Sequence, residues 1–376
     1  MWRTEDDIQQ MLRESADAWA KGAAGPERFR QFRQTGSGFD PQGWQAMAEL
    51  GWTGILLPED RGGAGLGLEP ALTLASVLGR NLAMAPFVPS AIGAATILAG
   101  ASGDGAAAVA ADLVQGRAAP LPAFREGIHD VAPQQPTTHY AAGRVSGRKV
   151  FVAGWHDAAP LLVTASGPEG LVIALVPPGA SGVRVTSRVM ADGTRAADIA
   201  FEEVEAEAIL TVAAARDALA LAYCREALGL SAMLEGLADK LFELTSEYVG
   251  QRVQFDKPLA SFQALRHTIV DLHAQIELAG ASWRVAARLL EAEGPQVAAG
   301  RAAMARARAG AAAHAMGKAA IQYHGAFGYT EEADIALYAN TILRLMTQGG
   351  TPVMQRRAAL AHHKDSSSKE FRHVAA

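Results

Sequence analysis

The amino-acid sequence predicts a mostly helical protein in which a β domain lies between two helical domains. Long runs with helical spacing of apolar residues fill residues 1–117 and 211–365, whereas short β-type runs broken by Gly and Pro fill residues 118–210. A chain of 376 residues with 49% hydrophobic and 19% charged residues can bury the interior of two or three packed units. We therefore expect an N-terminal helical domain (1–117), a middle β-barrel or sandwich (118–210), a C-terminal bundle of long helices (211–365) and a frayed tail (366–376).

The N-terminal helices are predicted from a cap and from periodicity. Asp40 is a candidate N-cap with Pro41 in the first turn, and apolar residues follow at Trp44, Met47 and Leu50. The Pro- and Gly-rich residues 57–63 form a loop. Further helices are expected at about 68–84, 88–101 and 104–116.

The middle region consists of short strand-like runs separated by turn sequences such as Gly167-Pro168 and Asp192-Gly193. This spacing indicates a small antiparallel barrel or sandwich rather than βαβ units. No Gly-x-Gly-x-x-Gly motif opens a helix, so a nicotinamide site of the Rossmann type is not expected. The predicted strands include residues 149–152, 161–164, 171–176, 182–185 and 199–201.

The C-terminal region returns to long helices. Between Asp217 and Glu235 the only charged residues are Arg225 and Glu226. A helix that is apolar nearly all round is expected inside a bundle or at a subunit interface, which predicts a tetramer built as a dimer of dimers through these helices. The predicted helices cover about 217–249, 260–291, 295–325, 332–347 and 352–364.

Composition argues against several classes of function. A net charge of −5 and a pI of about 6.1 give no electrostatic basis for binding nucleic acid. The single cysteine, Cys224, cannot form an intrachain disulfide and is typical of the cytoplasm, and the ten histidines show no metal-ligand spacing. The acidic start without an apolar run is unlike a signal peptide, and the apolar stretches are too short for a membrane span.

Three segments carry motifs. Residues 50–66 contain Leu-Gly-Trp and a loop Pro-Glu-Asp-Arg-Gly-Gly; residues 252–258 read Arg-Val-Gln-Phe-Asp-Lys-Pro; residues 322–332 read Gln-Tyr-His-Gly-Ala-Phe-Gly-Tyr-Thr-Glu-Glu. In this order, with the β region before the second, they resemble the acyl-CoA dehydrogenase family and its signatures Arg-x-Gln-Phe-Gly-x-Pro and Gln-x-x-Gly-Gly-x-Gly-Tyr-Thr-Glu-Glu. The resemblance implies a FAD-dependent enzyme that oxidises an acyl-CoA and passes electrons to an electron-transfer flavoprotein.

The same resemblance implies a FAD site shared between neighbouring subunits. Arg252 would pair with the diphosphate, the glutamines would act as neutral donors, and the glycines would let the main chain lie against the adenosine. Asp256 and Ala326 replace two glycines of the family. The alternative is structural: Arg252 caps a helix end and the phenylalanine fills core. The residues implied at this part of the site are Arg252, Gln254, Phe255, Gln263, Gly325 and Gly328.

In the β domain, the flavin-facing Trp-Ile-Thr strand of the family corresponds to Phe151, Val152 and Ala153. Phe151 can stack on the flavin ring, whereas Ala153 has lost the threonine hydroxyl. Glu126 stands where the family has a Thr-Glu-Pro loop. These departures imply that flavin binding is weakened or shared with a partner chain.

The usual catalytic glutamate of the family is absent. Its turn reads Thr-Gln-Gly-Gly-Thr at residues 347–351, and residues 335–364 contain no Asp or Glu. The isovaleryl- and long-chain-type members instead carry the base on a helix 26 residues before the signature arginine, which is the position of Glu226 relative to Arg252. Glu226 is therefore the candidate base, and the alternative is a structural glutamate satisfied by neighbouring groups. Ala227 stands where the family often has arginine, which leaves room for a different acyl group.

Three functions remain open. The first is an acyl-CoA dehydrogenase of fatty-acid or steroid side-chain catabolism that uses Glu226, as a homotetramer or a heterotetramer with a second acyl-CoA dehydrogenase-like chain. The second is a non-catalytic or half-site subunit of such a heterotetramer, which the degraded flavin loops and the missing usual base also suggest. An oxidase or monooxygenase on the same fold is less favoured, because the motifs are near the dehydrogenase pattern.

Overall fold

A computed structural model gives the structure of residues 7–330 and 332–374, with side chains described through His363. It has the predicted fold class: a helical domain, a β domain and a bundle of long helices, in that order along the chain. The predicted tail is helical where it is described, since the last helix continues through Val374. Residues 1–6 of the predicted N-terminal domain and the last two residues of the tail lie outside the described residues.

The N-terminal domain consists of short helices closed by local caps. Asp40 is the N-cap of the third helix as predicted: its Oδ1 accepts from Gly43 N at 3.0 Å, and Arg28 holds the same carboxylate. The helix expected at 88–101 begins instead as a π-helix, a wider turn that often occurs at functional sites. The elements are α1 (Asp7–Ala23), α2 (Pro26–Thr35), α3 (Pro41–Glu49), α4 (Leu68–Arg80), the π-helix (Phe87–Ala94), α5 (Ala95–Gly100) and α6 (Asp104–Val114).

The β domain forms one sheet with the strand order β6-β7-β3-β2-β4-β5-β8, and β1 pairs with β4. The sheet is mixed rather than antiparallel, because β1 and β2 both pair with β4 in parallel. Neither parallel pair is joined directly, because residues 124–138, β2 and β3 separate β1 from β4, and β3 separates β2 from β4. The strands are β1 (Leu121–Ala123), β2 (His139–Ala141), β3 (Arg144–Ala153), β4 (Leu161–Gly167), β5 (Gly170–Val176), β6 (Val183–Val189), β7 (Arg195–Glu205) and β8 (Glu207–Thr211).

The C-terminal bundle is built on α7, a helix of 40 residues that continues directly from β8. A short hairpin follows α7, and a 3-10 turn (Gly325–Tyr329) follows α9. The elements are α7 (Val212–Gln251), β9 (Val253–Gln254), β10 (Lys257–Pro258), α8 (Gln263–Glu293), α9 (Pro295–His324), α10 (Asp334–Thr347) and α11 (Pro352–Val374).

The nearly uncharged stretch of α7 is buried by its own chain. α4 packs so closely on α7 that a methyl group at Gly236 would overlap the Ser76 carbonyl, and one at Gly79 would overlap the Met233 carbonyl. The π-helix packs on the same stretch, where Ile92 contacts Gly229. Of the two predicted positions for this stretch, the structure shows the one inside the bundle, because α4 and the π-helix supply the apolar contacts, and the tetramer prediction loses this stretch as its basis.

Two features are absent from the described residues. No helix in that part of the chain is both long and apolar enough to span a bilayer. Nor do three or more His, Cys, Asp or Glu side chains in the same part converge in a way that could hold a metal ion.

Candidate active site

Glu226 lies in the middle of α7, where the bundle faces the β domain. Its carboxylate packs against the π-helix at Gly93, and a methyl group at that position would overlap Glu226 Oε1. Gly93 therefore makes space for the carboxylate. The wide turn of the π-helix and the absent side chain together set the position of the Glu226 head group.

Two cavities meet at Glu226. The sheet-side cavity, about 350 Å³, is lined by Pro89, Pro122, Phe124, Arg125, Val150, Phe151, Ala153, Glu226 and Gln348. The bundle-side cavity, about 540 Å³ including space open to solvent, is bounded mainly by α7, α9 and α11. Arg125 and Gln348 line both cavities, as Glu226 does. A third cavity, about 610 Å³, lies between α4, α7 and the sheet and does not reach Glu226.

The surroundings of Glu226 do little to stabilise the negative charge of its carboxylate. Burial raises its pKa to about 7, and the positive charge of Arg125 opposes that rise. No side chain or backbone group among the described residues donates a hydrogen bond to the carboxylate. A purely structural Glu226 would need neighbouring groups that donate hydrogen bonds to its carboxylate, and the described residues provide none. A carboxyl group with a pKa near neutrality, beside open space, can accept a proton from a ligand.

The turn that carries the usual base in the family is held in place by two arginines. The Arg306 Nη2 donates to the Gln348 carbonyl at 3.0 Å and to the Leu345 carbonyl, so this buried guanidinium caps the C-terminus of α10. Arg344 donates to Gln348 Oε1 at 2.9 Å and pairs with Asp192 of the β domain. Gln348 therefore presents a fixed neutral amide beside Glu226.

Phe151 and Val152 face opposite ways. Phe151 is half-buried on the wall of the sheet-side cavity, where its backbone has a φ of 56° and its N–H donates to Asp198 Oδ1 at 3.1 Å. A positive φ is strained for an aromatic residue and is common at binding sites. Val152 packs inside the β domain, so only its main chain can face a ligand in the cavity.

Glu126 is occupied by the protein itself. It accepts hydrogen bonds from the buried Lys149 Nζ at 2.7 Å, from both the N–H and the hydroxyl of Thr137 at 2.6 Å, and from Thr138 N at 2.9 Å. Burial raises the pKa of Glu126, but these bonds outweigh it and lower the pKa to about 2. The carboxylate thus ties the loop of residues 124–138 to β3.

The other predicted cofactor residues lie at the far end of α7. Arg252, Gln254, Phe255 and Gln263 are exposed, and the Phe255 side chain is 84% exposed, which excludes the alternative that it fills core. Tyr248 and His324 stack with ring centroids 4.1 Å apart and join the C-terminal ends of α7 and α9.

The 3-10 turn after α9 brings the predicted glycines to the same end. Gly325 has a φ of 64° and open space where a Cβ would stand, whereas Gly328 is packed against His324 and Ile321. The backbone of Gly325 therefore borders open space, and Gly328 permits the tight turn.

The predicted residues fall into two separate groups. The first group, around Glu226 and Phe151, faces the β domain; the second, around Arg252 and Gly325, lies at the exposed end of the bundle. Because α7 is continuous between Glu226 and Arg252, 26 residues at about 1.5 Å each separate the groups by roughly 39 Å. This distance exceeds the length of an extended FAD molecule, so one chain cannot hold one FAD with both groups.

Two domain models of one protein family match the chain. The model of the acyl-CoA dehydrogenase N-terminal domain matches residues 6–117, and that of the C-terminal domain matches residues 219–362. The chain belongs to the acyl-CoA dehydrogenase family. Both groups of site residues therefore lie on an acyl-CoA dehydrogenase fold, as the sequence motifs predicted.

Curated acyl-CoA dehydrogenases of Mycobacterium tuberculosis resemble the chain over most of its length. Acyl-CoA dehydrogenase IpdE2 is 29% identical over 341 residues, covering 89% of this chain and 91% of the relative. Acyl-CoA dehydrogenase FadE28 is 30% identical over 253 residues, covering 65% of this chain and 71% of the relative.

Among solved structures, one described as a variant of the Tcur3481-Tcur3483 steroid ACAD superimposes with a TM-score of 0.88. It is 25% identical in sequence, and the match covers 96% of this chain and 98% of that one. The order of helical, β and helical domains is thus shared along nearly the whole chain.

Four residues of this candidate site were not predicted: Gly93, Arg125, Lys149 and Arg306. Arg125 directly precedes Glu126, and Lys149 lies two residues before Phe151, so proximity to the quoted motifs could have indicated both. No local signal marks Gly93 or Arg306, because each reaches the site only through the packing of distant helices.

Proposed function

We propose that the chain is a subunit of a FAD-dependent acyl-CoA dehydrogenase in which Glu226 removes the α-proton of an acyl-CoA thioester. The observation that carries the proposal is the Glu226 carboxylate itself, without a hydrogen-bond donor among the described residues, with a pKa of about 7, where two cavities meet. As the α-proton passes to a Glu226 oxygen, its C–H electrons form the new double bond and a hydride leaves the β-carbon. FAD, when bound, supplies the acceptor for that hydride.

The candidate cofactor residues fit FAD in two groups, one suited to the flavin ring and one to the diphosphate and adenosine. Phe151, Phe124 and Ala153 offer an apolar wall for a planar ring. At the other end, the Arg252 side chain is exposed and makes no hydrogen bond or ion pair within the described part of the chain, so its guanidinium can fork onto a diphosphate. Open space beside Gly325 allows an adenosine to approach the backbone.

The separation of the halves favours a site shared between two chains. Across the roughly 39 Å between Glu226 and Arg252, the ring half of one chain and the diphosphate half of another would together complete a site. A tetramer, either of like chains or with a second acyl-CoA dehydrogenase-like chain, would provide such pairs, and an electron-transfer flavoprotein would reoxidise the flavin.

A second candidate function is a half-site subunit of a heterotetramer. Arg125 favours it, because the guanidinium reaches across from the β domain to Gly349 and lies in the cavity beside Phe151. The solved relative whose description names two proteins, Tcur3481-Tcur3483, supports the same arrangement. In this case the ring half of this chain would remain without flavin, and Arg252 would serve the site of the unlike partner.

Glu226→Gln tests the catalytic proposal. The amide keeps the size of the side chain but cannot accept the α-proton, so flavin reduction by saturating acyl-CoA should fall by about 10² or more in stopped-flow measurements. FAD content and acyl-CoA binding should stay the same. Unchanged reduction per flavin would contradict the proposal; so would full activity of the variant in a complex with an unlike chain, which would assign the base to that partner.

Arg252→Ala tests the cofactor half of the proposal. Loss of a guanidinium that pairs with the diphosphate should weaken FAD binding by roughly 10- to 100-fold, on the scale of hydrogen bonds to charged groups. Arg301→Ala, an exposed arginine on α9, serves as the control. FAD titration of the apoprotein measures both, and equal affinity in the two variants would leave Arg252 without a cofactor role.

A further inference from the structure

The bundle-side cavity is lined by more cationic than anionic side chains. Two guanidinium groups, Arg125 and Arg306, line it together with one carboxylate, Glu226, and His362 stands at its exposed rim. Because burial raises the pKa of that carboxyl group to about 7, its negative charge is only partly present at neutral pH. The cavity is therefore cationic.

Among the described residues, no carboxylate neutralises the charge of Arg306. Arg306 is 1% exposed, and its Nη2 is used by the two carbonyls at the end of α10. Its Nε and Nη1 have no hydrogen-bond partner, and within the described residues no carboxylate forms an ion pair with it. A buried cation in this state is costly unless an anion approaches it.

Arg125 supplies the accessible cation. Its Nε lacks a hydrogen-bond partner, and no carboxylate of the described chain forms a direct ion pair with it. The guanidinium extends to Gly349, so that it lies at the boundary of the two cavities and next to Glu226. By contrast, Arg344 in the third cavity is neutralised by Asp192.

The remaining lining leaves room for a short chain of carbon atoms. Ala227, Ala299, Ala302 and Ala303 give the cavity an apolar wall of small side chains. A ligand whose α-carbon lies at Glu226 could thus extend along this wall while its distal end remains near the guanidinium groups.

We propose that the bundle-side cavity binds a carboxylate carried on the acyl group, so that the preferred substrate is the monothioester of a dicarboxylic acid. The inference rests on the proposed function, because Glu226 must face the α-carbon. Arg125 contacts the distal carboxylate directly. Arg306, which is buried in the wall of the same cavity, strengthens the positive potential at close range in a site of low dielectric constant.

Binding of matched pairs of CoA thioesters tests the proposal without turnover. Each pair compares the CoA monothioester of a dicarboxylic acid with a CoA thioester whose acyl group has the same number of carbon atoms and no charge. The pairs run from succinyl-CoA and butyryl-CoA to suberyl-CoA and octanoyl-CoA. The second member of each pair is called the neutral ester. Calorimetry on the purified oligomer, with its partner chain if one is required for assembly, should show a preference of roughly tenfold or more for the charged member of at least one pair.

The variants then assign the preference. Arg125→Gln should remove it, read as the ratio of the two affinities within each pair, so that a change common to both members does not count. Arg306→Met should reduce it, and Arg308→Met, an exposed arginine two residues further on α9, should not. If Arg306→Met fails to fold, Arg125→Gln alone decides.

The outcomes separate this inference from the proposed function. Equal binding of charged and neutral esters overturns the carboxylate site but leaves the acyl-CoA dehydrogenase proposal intact. Loss of FAD from Arg125→Gln with unchanged selectivity would assign Arg125 to the flavin and also overturn the inference. If no thioester binds, both proposals fail.

Discussion

Glu226 is a carboxyl group whose ionisation is opposed by burial and favoured only by the nearby charge of Arg125. A base of this kind is protonated at low pH and becomes able to accept a proton as the pH rises through its pKa. The absence of hydrogen-bond donors within the described chain keeps the pKa high enough for the proton affinity to match its task near neutrality.

The pH dependence of flavin reduction follows from this pKa. We expect the rate with saturating acyl-CoA to rise with pH along a limb centred near pH 7, because only ionised Glu226 removes the α-proton. Stopped-flow reduction between pH 5.5 and 9, at about half-unit steps, measures the limb. Glu226→Asp should keep a limb at lower rate and Glu226→Gln should lose it; a flat profile in the wild type would contradict the assignment.

The same shift has a signed effect on stability. The folded pKa of about 7 lies above the ordinary value of 4.5, so the folded state holds the proton more tightly, and stability falls as the pH rises from 4.5 through 7. Glu226→Gln removes this penalty. The variant should therefore gain melting temperature relative to wild type at pH 8 and gain little at pH 5.

At the scale of elements, the Glu126–Lys149 pair fastens the loop of residues 124–138 to β3. Lys149 is fully buried and also donates to Thr164 on β4, so the pair joins two strands and the loop that carries Arg125. A buried pair of this kind costs more to break than to leave intact, because the remaining charge would be without a partner.

Lys149→Met should accordingly destabilise the protein by about 3–5 kcal/mol, since the Glu126 carboxylate would lose its ion-pair partner and keep only its hydrogen bonds from Thr137 and Thr138. Lys240→Met is the matched control: Lys240 pairs with Glu243 on the surface of α7, and its loss should cost at most about 1 kcal/mol. Urea denaturation at neutral pH gives both values. Similar small losses in the two variants would show that the buried pair contributes no more than the surface pair.

Local signals in the sequence predicted the helices and strands better than they predicted which of these elements pair or pack with one another. Asp40 was identifiable as an N-cap and Glu226 by its distance from Arg252 along an unbroken helix, because both depend on neighbours in the chain. The parallel pairing of β1 with β4, and the approach of Arg306 to the Gln348 turn, join residues that are far apart in sequence. The apolar stretch of α7 likewise predicts that the helix is buried, but it does not indicate which chain buries it.

At the scale of the whole molecule, apolar side chains remain exposed on the bundle in spite of the burial of α7. They recur at a spacing of seven residues, which puts each pair on one face of its helix. The pairs are Leu278 and Val285 on α8, Val297 and Met304 on α9, and Val353 and Leu360 on α11. These faces, rather than the centre of α7, are the surfaces that an oligomer would bury.

We expect a tetramer, of like or unlike chains, assembled through these helices. Light scattering at micromolar concentration measures the mass, and Val285→Glu, which places a charge on the exposed face of α8, should weaken assembly. Val189→Glu, an equally exposed valine in the β domain, is the control. A monomeric wild type, alone and with an unlike chain, would contradict the prediction.

The roughly 39 Å between the two halves of the site on α7 also has a genetic meaning. If like chains pair, a Glu226→Gln allele and an Arg252→Ala allele damage different halves, and a mixed pair then contains one site with both lesions and one with neither. Two alleles that are each defective alone should therefore complement each other when expressed together, recovering at random assortment about a quarter of the sites. If the flavin site requires an unlike partner, the same cross should restore nothing, because both lesions would then lie in a chain that never pairs with itself across the cofactor.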